Sequence, residues 1–301
     1  MLKKLISIVL SASLLTATLG LVSSANAAEG GAPHKMSADE FMASLHFQQG
    51  KITLPGNVAT LDLPESFRYL PPDDANRVLV DAWGNPPGAK TLGMIFPVDG
   101  GPLAKDGWGV IVTYDKDGHV KDDDAYKIKY DELLKTMQEA VKDNNESRKK
   151  AGYPEMNLVG WAEQPSYDNQ THKLYWAKEL SFNDTHEETL NYNVRVLGRE
   201  GVLILNAVAG MGQIKQIKTE MQRVTAFTDF TAGNRYTDFD SKTDKVAEYG
   251  IAALVAGGIA AKLGLFGKLL ALLIAFKKII FVAIAGFGSA IFKFFKRKNA
   301  D

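Results

Sequence analysis

From residue 249 to residue 295 the chain is almost wholly apolar, yet Lys262, Lys268, Lys277 and Lys278 divide the stretch into uncharged pieces of 13, 5, 8 and 14 residues. A bilayer crossing asks for roughly 18 to 20 apolar residues in one helix, and no single piece supplies them. A lysine at mid-bilayer costs about 2.5 to 3.5 kcal/mol, which disfavours a helix centred on Lys277 and Lys278. The less costly arrangement sets those two at one membrane surface and Lys293, Lys296, Arg297 and Lys298 at the other, with long side chains reaching outward from a helix over 279–295. The excess of positive charge then places the basic end in the cytoplasm, with residues 249–276 lying on the outer surface. A hairpin with Lys277 and Lys278 at a cytoplasmic turn is the alternative. Ala252, Ala256 and Ala260 form a small-residue stripe at helical spacing, suited to packing on the following helix or to self-association.

The opposite end is also apolar. Lys3 and Lys4 precede an uncharged run over 5–24, and Ala25-Asn26-Ala27 presents small residues at both positions that a signal peptidase reads. Cleavage is expected after Ala27. The expected organisation is therefore a signal peptide over 1–27, an exported domain over 28–230, a polar tether over 231–248, membrane-associated helix over 249–296 and a basic tail over 297–301. The setting is a bacterial inner membrane, with the main domain on the periplasmic side.

The formal charge of zero conceals a division: residues 1–27 carry +2, residues 28–261 carry −9 and residues 262–301 carry +7. An acidic domain is a poor partner for nucleic acid. With no cysteine in the chain, neither disulfides nor a lipidated cysteine can hold the mature protein, so the membrane must be met by peptide.

Within the domain, Ser37-Ala-Asp-Glu40 is a capping box that starts a short helix over about 38–48. Two short strands flank Pro55-Gly56-Asn57, and Pro71-Pro72 opens a helix that Trp83-Gly84 closes. Strands are expected at 92–96, 109–114, 157–163, 172–182, 189–198 and 202–208. A long helix spans about 131–151, and a last one carries Ile214, Ile217, Met221 and Val224 on one side. Strands in local pairs with helices inserted singly indicate an α+β fold with a mainly antiparallel sheet, followed by a C-terminal helical membrane anchor.

The densest aromatic segment, 161–180, reads as a β-hairpin with Trp161 and Trp176 on its two strands. Such residues serve cross-strand packing. They also form a candidate binding platform, Trp161, Tyr167 and Trp176 flanked by Glu163, Asp168, His172 and Glu179, suited to a peptide, a sugar or a partner protein. The segment 113–124 can be laid on a calcium loop, but threonine at its first position and a strand leading into it favour a plain turn at Asp115-Lys-Asp117-Gly118. No serine-hydrolase elbow, zinc motif, phosphate loop or cysteine nucleophile occurs, and neither a metal nor a cofactor is expected.

Trp83-Gly84-Asn85-Pro86-Pro87, the paired Trp-Ala hairpin, Leu190-Asn-Tyr192-Asn193-Val-Arg195-Val-Leu197-Gly198 and Leu205-Asn206-Ala207-Val208 carry a resemblance, as does Asn234-Arg235-Tyr236-Thr-Asp238-Phe239-Asp240. On these residues the chain resembles the bacterial membrane-anchored proteins of domain of unknown function 2167. The resemblance implies an envelope setting and no assigned activity. Three functions follow as expectations: a non-enzymatic envelope protein whose domain binds a partner or ligand, a hydrolase using acids and His172 of the 161–180 hairpin, or a membrane-organising protein acting through 249–295.

Overall fold

A computed structural model describes residues 36–85, 87–183 and 185–256. The signal peptide expected over 1–27, the part of the expected membrane segment beyond residue 256, the basic tail and Ala260 lie outside the described residues. The fold is α+β and its sheets are antiparallel. Seven strands form the main sheet in the order β3 (Phe67–Leu70), β4 (Gly93–Pro97), β5 (Gly109–Asp115), β9 (Val202–Gly210), β8 (Thr189–Leu197), β7 (Lys173–Phe182) and β6 (Met156–Asp168). A three-stranded sheet holds β1 (Lys51–Thr53), β2 (Ala59–Asp62) and β10 (Thr228–Phe230). The expected hairpin around Pro55-Gly56-Asn57 is β1 paired with β2, Lys51 facing Asp62.

Period-two alternation explains how the main sheet is covered. On β8, Leu190, Tyr192, Val194 and Val196 point to one face, where they meet Leu203, Leu205, Ala207 and Ala209 of β9. Helix α4 (Ile214–Ala226) lies over this face and buries Ile217, Met221 and Val224, a spacing that keeps one side inward. The small sheet closes the same core with Leu61 and Phe230. On the opposite face there are two separate cores. Helix α3 (Tyr130–Lys150) covers β6 and β7 at one end, while α1 (Ala38–Ala43) and α2 (Pro72–Arg77) pack near β3 and β4 at the other.

Two strands were not legible in the chain. β3 and β10 have three or four residues each, and ladder partners far away in sequence make them strands. The helix expected over 38–48 ends at Ala43, where the Ser44 hydroxyl bonds back to the Phe41 carbonyl at 2.7 Å.

The larger differences concern the end of the domain. Residues 231–248, expected as a tether, are packed along the body: Gly198 pairs with Arg235 and His119 with Val246 in isolated bridges. A side chain at Gly198 would meet the Phe230 ring at 2.6 Å, so the approach requires glycine there. Helix α5 (Ile251–Ala256), expected to begin the membrane segment, buries Ile251, Leu254 and Val255 in the core under α3. Apolarity alone cannot distinguish a core helix from a membrane-facing one. Ala252 and Ala256 are half-exposed. No helix among the described residues is long and apolar enough to cross a membrane.

If α5 is part of the folded core, Leu254→Ala should lower the stability of the full chain by about 2 to 5 kcal/mol. Urea unfolding followed by tryptophan fluorescence reads this directly. An unchanged midpoint would place Leu254 outside the core.

Candidate functional site

Strands β6 and β7 form the expected hairpin, with register shifts between Leu158 and Gly160, Trp161 and Glu163, and Glu163 and Ser166. These bulges interrupt strict alternation along β6 and re-aim its side chains. At the turn the Asp168 carboxylate accepts from the Gln170 amide at 2.9 Å and the Thr171 hydroxyl at 2.7 Å, and these bonds hold it below the usual carboxylate range. His172 closes the turn in the left-handed region, φ 52°.

The aromatic side chains of the hairpin are spent on packing. Trp176 is fully buried, and Trp161 is half-buried with its indole N–H directed at the Tyr130 carbonyl, 3.4 Å away. Tyr167 packs in the same core and donates its hydroxyl to Asp122 Oδ2 at 2.7 Å. Burial, then the Asp122 carboxylate, pushes this phenol far above its ordinary range.

The polar candidates separate into distinct surroundings. Glu163 pairs with Lys218 of α4 at 2.9 Å. Asp168 is consumed by its own turn. Glu179 shares a hydrogen bond with Glu188, which with partial burial holds it above the usual carboxylate range. Only Tyr167 and His172 come together: His172 Nδ1 lies 3.3 Å from the Tyr167 hydroxyl and 3.7 Å from Asp122 Oδ2.

What joins them comes from the segment expected as a tether. Tyr236 inserts its ring between His172, with centroids 4.0 Å apart, and His119, 4.3 Å apart. Phe239 stacks on the far side of His119 at 4.0 Å and 17°. The result is a column of four rings, with the Tyr236 hydroxyl donating to the Val120 carbonyl at 3.1 Å. Farther along, Arg199 forms a two-pronged pair with Asp244 at 2.7 and 2.9 Å, which depresses the Asp244 carboxyl. Residues 231–248 are thus a strap bound to the hairpin tip. The polar composition of the strap concealed it, although Tyr236 and Phe239 alternate with its polar residues.

Beside the column lies an open groove of about 280 Å³ between the hairpin turn, β10 and the strap. Thr171, His172, Lys173, Asp229, Arg235 and Tyr236 contribute to its lining. Arg235 reaches Asp229 at 3.3 Å and Lys173 donates to the Thr225 carbonyl at 3.2 Å. Both signs of charge and an aromatic edge are therefore presented together. Among the described residues no group of three or more acids or histidines has the geometry of a metal site.

The sequence model of the family described as "Protein of unknown function (DUF2167)" matches residues 46–288, most of the chain. The chain belongs to this family. The match takes in the main sheet, the hairpin and the whole strap. No curated protein matches the chain. Among solved structures it is similar to cyanobacterial PsbP from Synechocystis sp. PCC 6803, at 8% identity and TM-score 0.34, covering 69% of this chain and 98% of that one. The yeast Ran-binding protein Mog1p from Saccharomyces cerevisiae gives 10% and 0.33, covering 65% and 100%. LpqN, involved in cell envelope biogenesis of Mycobacterium tuberculosis, gives 13% and 0.31, covering 66% and 99%. Likenesses this distant assign no activity to the family.

The column makes stability depend on pH. Burial lowers the affinity of His119 for a proton, against the opposing pull of the Gly198 and Arg199 backbone and of Asp122 and Asp244. The unfolded chain therefore takes up a proton near pH 6.5 that the folded chain resists, and stability falls as pH drops below about 6.5. His119→Phe, which preserves a ring between Tyr236 and Phe239, should flatten this dependence. Unfolding midpoints at pH 7.5 and 5.5 for both proteins provide the check, and an equal acid loss in the variant would assign the effect to other groups.

Proposed function

We propose that this protein is an inner-membrane-anchored envelope protein whose exported acidic domain binds a partner protein, without catalysing a reaction. Its working surface is the groove where the hairpin turn meets the strap. The observation that carries this reading is the dispersal of the acids. General acid–base chemistry needs a donor and an acceptor within about 3 Å of one reacting centre. Glu163, Asp168 and Glu179 of the hairpin instead have separate partners, and the Asp122 carboxylate, 3.7 Å from His172, is engaged by the Tyr167 hydroxyl. The groove combines an aromatic edge with opposite charges, a composition suited to recognition.

Export by the 1–27 signal and retention by the segment beyond residue 256 supply the location. A strap bound to the hairpin tip by stacked rings and by the Arg199–Asp244 pair gives the groove a defined relation to the start of that anchor. Self-association through Ala252, Ala256 and Ala260 belongs to the same proposal, because the first two remain half-exposed beside a helix whose other side is buried.

A photo-crosslinker at the exposed residue Thr237, in cells at native level, should capture one envelope protein repeatedly. Arg235→Gln, which removes the charge at the groove lip, should reduce that capture severalfold while leaving the unfolding free energy within about 1 kcal/mol of the parent. A folded, anchored protein that captures nothing from Thr237 would end the partner reading.

A further inference from the structure

The strap over 231–248 supplies one wall of the groove through Arg235, Tyr236 and Thr237. Both of its ends are fastened to a single residue, His119. Toward the start of the strap, the His119 ring is held between Tyr236 and Phe239, with centroids 4.3 and 4.0 Å away. Toward its end, the His119 backbone bridges to Val246: the His119 N–H donates to the Lys245 carbonyl, and the Ala247 N–H donates to the His119 carbonyl, both at 2.8 Å. The approach requires glycine at 118, where φ is 112° and a side chain would meet the Lys245 carbonyl at 2.7 Å.

The ring is also sealed. His119 is 6% exposed, and its Nδ1 has no hydrogen-bond partner among the described residues. What hydrogen bonding the ring has goes to the backbone of Gly198 and Arg199, in the turn between β8 and β9. The charged and titratable groups around it are already engaged. Asp122, from the loop that follows His119, accepts from the Tyr167 hydroxyl at 2.7 Å, and Asp244, from the strap, accepts both prongs of Arg199. Lys245 and Glu200 meet residues 119 and 118 through backbone carbonyls. The Tyr236 phenol donates to the Val120 carbonyl, and the His172 imidazole stacks on Tyr236.

Neutral His119 therefore fits the closed strap, and protonated His119 does not, because a second ring N–H would be buried with nothing to accept it. Burial lowers the proton affinity of the closed form and outweighs the fields of Asp122 and Asp244, which favour the cation. Opening the strap returns the ring to water, where it titrates at about 6.5. Proton uptake and strap opening are thus linked.

We propose that His119 is a pH-sensitive latch, which takes up a proton on acidification by letting go of the strap and so withdraws one wall of the groove. This regulation rests on the partner reading for what the groove is used for, but the latch itself is measured with no partner present. Between pH 7.5 and 5.5, a ring that titrates at about 6.5 only in the opened form favours opening by up to about tenfold.

Hydrogen exchange of the full chain in neutral detergent, corrected for intrinsic rates, is compared at pH 7.5 and 5.5. Amides over 231–247 should exchange severalfold faster at pH 5.5, to a limit of about tenfold. At both pH values they should exchange faster than the amides of β9, which open only with the whole fold. His119→Phe keeps a ring in the column and removes the proton, so its strap should exchange at one corrected rate at both pH values. Phe239→Leu removes a flanking ring and leaves His119 in place. It should speed strap exchange already at pH 7.5 and narrow the acid effect, which keeps the test decisive if His119→Phe does not fold. Strap exchange that ignores pH, strap protection equal to that of β9, or the parent's acid response retained in His119→Phe would overturn the latch. Failure of crosslinking at Thr237 would deprive the groove of its partner and leave this result unchanged.

Discussion

The structure depends on one pairing: strand β8 held between β7 and β9, with eight and nine residue pairs in register. Because side chains alternate along a strand, this register sends Leu190, Tyr192, Val194 and Val196 into one continuous core and commits Asn191, Asn193 and Arg195 to the opposite face. A slip of one residue would exchange the two sets and bury three polar side chains under α4. The central position of β8 therefore fixes both the core under α4 and the polar strip behind it. Sheet order does the rest, placing α3 and α5 over one end of the rear face and α2 over the other.

The strap is the second determinant. Residues 231–248 contain few large apolar groups, and the contacts that hold them are specific rather than extensive: a ring column, a bidentate ion pair and two isolated bridges. Stacked rings of this kind are worth about 0.5 to 1.5 kcal/mol per pair beyond their burial, so several acting together can offset the ordering of a polar segment. Since α5 follows the strap into the core under α3, the chain runs as packed structure from β10 at least as far as Ala256.

The hairpin shows why a cluster of interesting residues in a linear sequence need not be a site. Trp161, Tyr167 and Trp176 lie close together in sequence and do share one core, but alternation and three register shifts send Glu163, Asp168 and Glu179 to different neighbours. His172 and Tyr167 were legible as candidates. Their actual associates, Asp122, Tyr236 and His119, come from a loop and a strap that periodicity does not detect.

Sequence alone determined the α+β class, most of the strands, the long helix α3 and the amphipathic helix α4, because hydrophobic period and capping chemistry are local properties. It also determined family membership and the division of charge between domain and tail. Tertiary structure decided which apolar helix is core, which polar segment is strap, and which rings and charges meet across the sheet. Those outcomes depend on contacts between residues far apart in the chain, such as Tyr236 with His119 and Arg199 with Asp244. No window of neighbouring residues contains that information, since the energy of such contacts exists only once the sheet has brought the partners together.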